Sequence, residues 1–76
     1  MRTAVFKSYK SGYYTFWFEN GEELVFEEIH PRALKQYDLK NDNSYIDKSF
    51  RISFVEVFEN GDEDFVIYSV ESLKLL

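Results

Sequence analysis

The sequence contains no cysteine, a single histidine and only three glycines. Without cysteine, the chain has no disulfide, no thiolate ligand for zinc and no Cys–His nucleophile. Gly12, Gly21 and Gly61 stand far apart at turn-like positions, so no glycine-rich loop is present to bind a phosphate. His30 directly precedes Pro31, where it is expected to begin a helix, and no serine has the surroundings of a nucleophile elbow. We therefore expect no enzymatic activity and no cofactor.

Long apolar runs and an excess of positive charge are also missing. No run approaches the roughly 18 apolar residues of a membrane span, and residues 1–7 lack the apolar segment of a signal peptide. We expect a cytoplasmic protein that does not contact membranes. Nine basic and fourteen acidic residues give a formal net charge of −5. This charge disfavours nucleic-acid binding, which depends on clustered Lys and Arg, and is compatible with a basic protein partner.

Aromatic residues are abundant: eight Phe, six Tyr and one Trp in 76 residues. A chain of this length is expected to form one domain, spanning residues 1–76, with a small core. Aromatic side chains bury a large area each, so they compensate for the small number of core positions.

One acidic motif occurs twice, as Phe-Glu-Asn-Gly-Glu-Glu at 18–23 and Phe-Glu-Asn-Gly-Asp-Glu at 58–63. Asn-Gly between two runs of aromatic and β-branched residues is a strong hairpin signal. For the first copy we prefer a three-residue loop, 19–21, with Gly21 in the left-handed conformation. This register places Tyr14, Phe16, Phe18, Leu24 and Phe26 on the inner face. It leaves Tyr13, Thr15, Trp17, Val25 and Glu27 on the outer face.

Five strands are predicted, at residues 2–10, 13–18, 23–29, 50–58 and 65–70. A helix of about two turns is predicted at 30–37, because Pro31 suits a first helical position. Residues 45–46 are predicted to be extended, and the tail at 71–76 either continues the last strand or forms a short helix. Strands that are apolar on both faces favour an all-β fold with one short helix, arranged as a small five-stranded barrel, closed or partly open.

This order, β-β-β-α-β-β, resembles the OB-fold over the whole chain. The resemblance is one of topology and length and rests on no diagnostic motif. The first strand lacks the glycine often found where it bends, and the run 13–18 has no interleaved Lys or Arg, unlike the cold-shock domain. An SH3-like barrel is the alternative. Neither resemblance transfers a functional residue to this chain, since a fold alone does not imply a function.

The leading hypothesis is a non-enzymatic module that docks on a protein partner, as a regulator, an inhibitor or a subunit of a larger assembly. Its anchors are the aromatics expected nearest the surface, because Trp and Tyr are enriched in interface hot spots. The acidic hairpin tips would orient the encounter. The candidate binding residues are Trp17, Tyr13, Tyr9, Tyr45, Glu22, Glu23, Asp62 and Glu63. Homodimerisation through the aromatic sheet is one form of this hypothesis. The alternative interpretation is that the tips only aid solubility and the aromatics only cover the barrel.

The second hypothesis is a weak single-stranded nucleic-acid binder of the OB type. It needs Lys7, Lys10 and Lys35 on the same face as the aromatics. Basic side chains beside Trp17 would favour it, and carboxylates there would count against it. A third hypothesis, an enzyme with carboxylate chemistry, needs two carboxylates converging in a cleft. No metal site is expected, because the loop nearest to a calcium-binding pattern, 38–44, lacks the central Gly and the closing Glu.

Overall fold

A computed structural model of the protein describes residues 1–58 and 66–76. Most of the strands and the helix predicted from the sequence are present in it. The second Asn-Gly turn at 60–61 lies outside the described residues, as do Asp62, Glu63 and the expected start of the last strand at Phe65. The elements are β1 (Arg2–Lys10), β2 (Tyr13–Phe18), β3 (Glu23–Phe26), β4 (Glu28–Ile29), α1 (Pro31–Gln36), a 3-10 turn (Asn43–Tyr45), β5 (Ser49–Phe58) and β6 (Val66–Leu75).

Most predicted elements are confirmed, and the tail extends the last strand. The extended piece predicted at 45–46 is wrong. The Asp42 carboxylate accepts a hydrogen bond from the Ser44 backbone N–H at 2.9 Å, and this cap begins the 3-10 turn instead. The α1 prediction is confirmed in detail, because the Nδ1 atom of His30 accepts from the Arg32 N–H at 3.1 Å and caps the helix. This helix is too short to cross a membrane, and the described residues contain no other helix that could.

In the described ranges, the strands form one sheet with the order β3-β2-β1-β5-β6-β4. Neighbouring strands are antiparallel except β4 and β6, which pair in parallel. The predicted barrel was closed or partly open; the sheet is open, so the closed form is wrong, because within the described residues no ladder joins its two edge strands, β3 and β4. At Glu27 the chain bends, and the predicted strand 23–29 divides there. Its first half stays paired with β2 and its second half pairs with β6, which also makes six strands rather than five.

The register of the first hairpin is confirmed. Trp17 lies opposite Glu23 in the β2–β3 ladder. The Phe18 N–H donates to the Glu22 carbonyl at 2.8 Å, which closes a three-residue loop. Gly21 has φ +85°, the left-handed conformation that this loop requires. The predicted inner and outer faces of β2 and β3 are therefore the observed ones.

The core is an aromatic cluster centred on Phe16, which is fully buried. Its ring centroid lies 5.3 Å from that of Phe6, 5.6 Å from Phe26 and 6.4 Å from Phe50. These distances fit the tilted and edge-on contacts that aromatic rings prefer. The cluster holds β1, β2, β3 and β5 together and leaves the opposite face of β2 to the solvent.

A β-bulge at Lys7 changes the pairing of β1 with β2. Phe6 lies opposite Phe16, whereas Ser8 lies opposite Thr15, so Lys7 is the extra residue. The bulge allows both Phe6 and Tyr9 to face the core, although three positions separate them. Lys7 itself follows the inward-facing Phe6, so its side chain lies on the outer face.

Candidate protein-binding face

The outer face of β1, β2 and β3 carries a cluster that we call the Trp17 face: Val5, Thr15, Trp17, Glu23 and Val25. Strand register brings these residues together, because Trp17 lies opposite Val5 on one side and opposite Glu23 on the other. Thr15 lies opposite Val25 in the next row. Trp17 is 51% exposed and Val25 is 40% exposed, so two large apolar side chains meet the solvent on a regular sheet.

Two neighbours hold the Trp17 indole in place. Its Nε1–H donates to the Oε2 atom of Glu23 at 2.8 Å. The Nζ atom of Lys7 lies 4.3 Å from the centre of the ring, which is cation–π distance. One contact fixes the polar edge of the indole and the other covers one of its faces. The side chain is therefore ordered before any partner arrives, which reduces the entropy lost on binding.

Charged groups around Trp17 are paired with one another. Lys7 forms an ion pair with Asp47. The Arg2 guanidinium lies 3.4 Å from the Glu22 carboxylate and 4.5 Å from the centre of the Phe18 ring. Glu22 and Glu23, which the sequence predicted as parts of an acidic tip, are thus engaged with Arg2 and Trp17. Two basic and three acidic side chains thus lie around Trp17, with a summed formal charge of −1, compared with −5 for the whole chain.

A shallow depression of about 360 Å³ lies beside the indole. Its walls are Trp17, Phe18, Gly21 and Glu23. It is open to solvent and lies next to an exposed aromatic edge, so it has the form of a subsite for one side chain of a partner. Deep pockets for small molecules enclose most of their ligand, which this depression does not.

The other predicted aromatic residues are divided between two faces. Tyr13 is exposed at the end of β2, opposite Lys10. The expectation that Tyr9 and Tyr45 lie near the surface is met only in part, because both are partly buried and pack against the core. The Tyr9 ring lies 4.8 Å from that of Tyr14, and the Tyr45 ring lies 5.7 Å from that of Tyr37. Only Tyr13 and Trp17 of the four candidate aromatics therefore lie on the outer face.

Lys7 is the residue that sequence reasoning placed least well. The nucleic-acid hypothesis requires it on one face with Lys10 and Lys35, and no prediction places it over the tryptophan ring. The available signal is strand alternation, because Lys7 follows the core residue Phe6 and therefore lies on the outer face with Trp17. Val25 was placed on the correct face, but its contribution to the apolar surface was not recognised.

Polar groups elsewhere serve local structure. The Oδ1 atom of Asp38 accepts from the backbone N–H of Asn41 at 3.3 Å. The hydrogen bonds from Ser44 lower the pKa of Asp42, which caps the 3-10 turn. In the part of the chain that the structure describes, no three His, Asp or Glu side chains are grouped so as to hold a metal ion.

The chain matches no protein-family model, no curated protein and no solved structure. Its function is therefore inferred from the geometry of the Trp17 face.

Proposed function

We propose that this chain is a non-enzymatic binding module that docks on another protein through the Trp17 face. The observation that carries the proposal is an ordered, half-exposed tryptophan beside an exposed valine on a regular sheet. Tryptophan is the residue type most enriched in interface hot spots, and its truncation in a hot spot costs about 2 kcal/mol or more. The module acts in the cytoplasm as a regulator, an inhibitor or a subunit of a larger assembly.

The side chains of the Trp17 face indicate which groups its partner presents. The partner presents apolar side chains, one of which enters the depression beside Trp17 and another of which contacts Val25. Lys7 and Glu23 border the indole with opposite charges, so polar groups of both signs on the partner find a complement. Because the nearby charges are paired, docking has a weak salt dependence at the interface itself. The net charge of −5 still accelerates the encounter with a basic partner.

Capture from an extract of the native host tests the proposal. The bait proteins are the wild type, Trp17→Ala and Val25→Lys, with Leu75→Lys as a matched control. Val25 and Leu75 are 40% and 38% exposed, so the two lysine variants disturb similarly accessible positions on different strands. We expect a protein that the wild type and the control retain and that both Trp17-face variants lose. Retention of the same proteins by all four baits would contradict the proposal.

The second candidate function is weak single-stranded nucleic-acid binding by an OB-like domain. One observation favours it: Lys7, a basic residue, lies directly on the Trp17 ring. The strand connections also suit an OB-like domain, because β1 pairs with both β2 and β5, and residues after β3 pair in parallel with the last strand. Glu23 on the indole edge and Asp47 on the Lys7 ammonium count against it. A stacking base would have to displace Lys7 or use the other face of the ring.

Fluorescence of Trp17 separates the two functions, since it is the only tryptophan. The protein is titrated with a mixed-sequence single-stranded oligonucleotide at low salt and again at about 200 mM salt, where phosphate contacts weaken. We expect no change at either salt concentration. Quenching at low salt that is lost at high salt would establish nucleic-acid binding instead.

A further inference from the structure

We propose that β5 pairs with β5 of a second copy of this chain to form a symmetric dimer. The β1–β5 ladder ends at the Arg2–Ile52 pair, but β5 continues to Phe58. Within the described residues, positions 53–58 therefore have a strand partner on one side only, namely β6. This open edge of β5 lies outside the Trp17 face.

Main-chain groups of this edge point away from β6. The Lys48 carbonyl accepts from the Phe6 N–H at 3.0 Å, and the Ser49 carbonyl accepts from the Leu76 N–H at 3.0 Å. Even-numbered residues thus face β1 and odd-numbered residues face β6. The register shift between Ser53 and Phe54 places its extra residue, Glu71, in β6, so the alternation along β5 is not interrupted. Phe54 and Glu56 therefore direct their N–H and carbonyl groups to the open edge.

Side chains on this edge favour pairing. Val55 is 39% exposed and Phe58 is 48% exposed, with Val57 exposed between them. Residues 53–58 contain no lysine and no proline, the residues that commonly protect an edge strand from pairing. An exposed apolar edge of this kind is a template for a second strand.

Strand geometry selects one symmetric register. A two-fold axis through Val55, perpendicular to the sheet, places Val55 opposite its copy and Ser53 opposite Val57. Phe54 and Glu56 then lie opposite each other and exchange main-chain hydrogen bonds. An axis through Glu56 would place two carboxylates face to face. An axis through Phe54 would drive the incoming strand into β1.

This register also accommodates the exposed phenylalanine. Phe58 of one copy reaches the level of Ile52 of the other, whose edge is already paired with Arg2, so the strand pairing is confined to residues 53–57 and only the Phe58 side chain extends to this level. A depression of about 210 Å³ lies there, lined by Met1, Arg2, Ile52, Ser53 and Phe54. Phe58, Ile52 and Phe54 alternate on the same face of β5, so the ring and the depression are on the same side. Each copy thus has an exposed Phe58 side chain and a depression that can accept the Phe58 side chain of another copy. A second copy of this chain is therefore the partner that we expect at this edge.

The interface is small, because about five residues of each copy take part. Stable interfaces bury about 1,600 Å² in total, and five paired residues with one inserted ring bury less. We therefore expect a dissociation constant in the micromolar range. Sedimentation equilibrium from about 5 to about 500 µM protein covers that range.

Two lysine variants test the dimer. Val55→Lys should sediment as a monomer, and Val25→Lys, at a position of equal exposure, should dimerise as the wild type does. Trp17→Ala should also dimerise normally, so a failure of the dimer is distinguishable from a failure of docking at the Trp17 face. Monomeric wild type over the whole concentration range would overturn the proposal. Equal weakening by Val55→Lys and Val25→Lys would overturn it as well.

Cysteine cross-linking tests the register, since the chain has no cysteine of its own. Opposed residues at a non-hydrogen-bonded position have Cα atoms about 4.5 Å apart, within the range of a disulfide. Val55→Cys should form an intermolecular disulfide much faster than Val25→Cys under the same oxidant. Equal rates for the two variants would overturn the register.

Discussion

The ammonium group of Lys7 lies 4.3 Å from the centre of the Trp17 ring. The two residues meet because Lys7 follows the buried Phe6 in β1, so alternation along the strand directs the lysine to the outer face that carries Trp17. Asp47 holds the other side of the ammonium group, and Glu23 holds the indole N–H. Three side chains from separate segments, Lys7, Asp47 and Glu23, thus hold one exposed aromatic residue.

Replacing Lys7 by alanine should uncover the face of the indole. We expect acrylamide, a neutral quencher, to quench Trp17 fluorescence more strongly in Lys7→Ala than in the wild type. Lys10→Ala, in the same strand but paired with Tyr13, is the control and should behave as the wild type. The stability should fall by less than about 1 kcal/mol, as exposed ion pairs contribute little. Unchanged quenching would mean that Lys7 does not cover the ring in solution.

Gly21→Ala should destabilise the β2–β3 hairpin. Gly21 has φ +85°, and a Cβ atom there would meet no other atom within 4 Å, so the whole effect is conformational. A left-handed alanine costs about 1–2 kcal/mol. Urea unfolding should show this loss for Gly21→Ala and a smaller one for Gly21→Asn, since asparagine tolerates this conformation. Equal losses for the two variants would contradict the explanation.

Two phenylalanines at different depths should respond differently to truncation. Phe16 is fully buried and Phe58 is 48% exposed. Phe16→Ala should cost about 3–5 kcal/mol, because it removes the ring that contacts three other core rings and leaves a cavity. Phe58→Ala should cost well under half of that when measured by urea unfolding at low protein concentration. A comparable loss for both variants would show that Phe58 belongs to the core.

In an alkaline titration of the folded protein, Tyr14 should ionise at a higher pH than it does in the unfolded chain. Burial raises its pKa, and the negative charges of Tyr9 and Asp38 add to the effect. The folded-state pKa therefore exceeds the unfolded value of about 10. The resulting stability is fully present below pH 10 and is lost as the pH rises through the folded-state pKa. Ultraviolet absorbance should show one late tyrosine that is missing in Tyr14→Phe. Titration of all tyrosines together would contradict the buried position.

Local signals sufficed for the first hairpin. Asn20-Gly21 between aromatic runs defined the loop, and period-2 alternation then assigned Phe16 to the core and Trp17 to the surface. The helix start was equally predictable, because Pro31 and a capping side chain are local features. Each of these depends on residues that are close in the sequence.

Non-local pairing was harder to predict. The bulge at Lys7 reversed the face of Tyr9, since one extra residue in a strand exchanges inside and outside. The bend at Glu27 divided the third predicted strand, because residues 28–29 pair with β6, which is distant in sequence. Tyr45 packs against Phe50 and Tyr37 through tertiary contacts that no local pattern encodes.

Photo-cross-linking in cells of the native host tests the central claim most directly. A photoreactive phenylalanine derivative replaces Val25 on the Trp17 face or, in a control, Lys40, which is exposed elsewhere on the protein. The Val25 position should yield a discrete adduct with a second, different protein, and Trp17→Ala in the same chain should abolish it. The Lys40 position should yield no such adduct. Absence of a protein adduct at Val25, or an adduct with nucleic acid, would contradict the account.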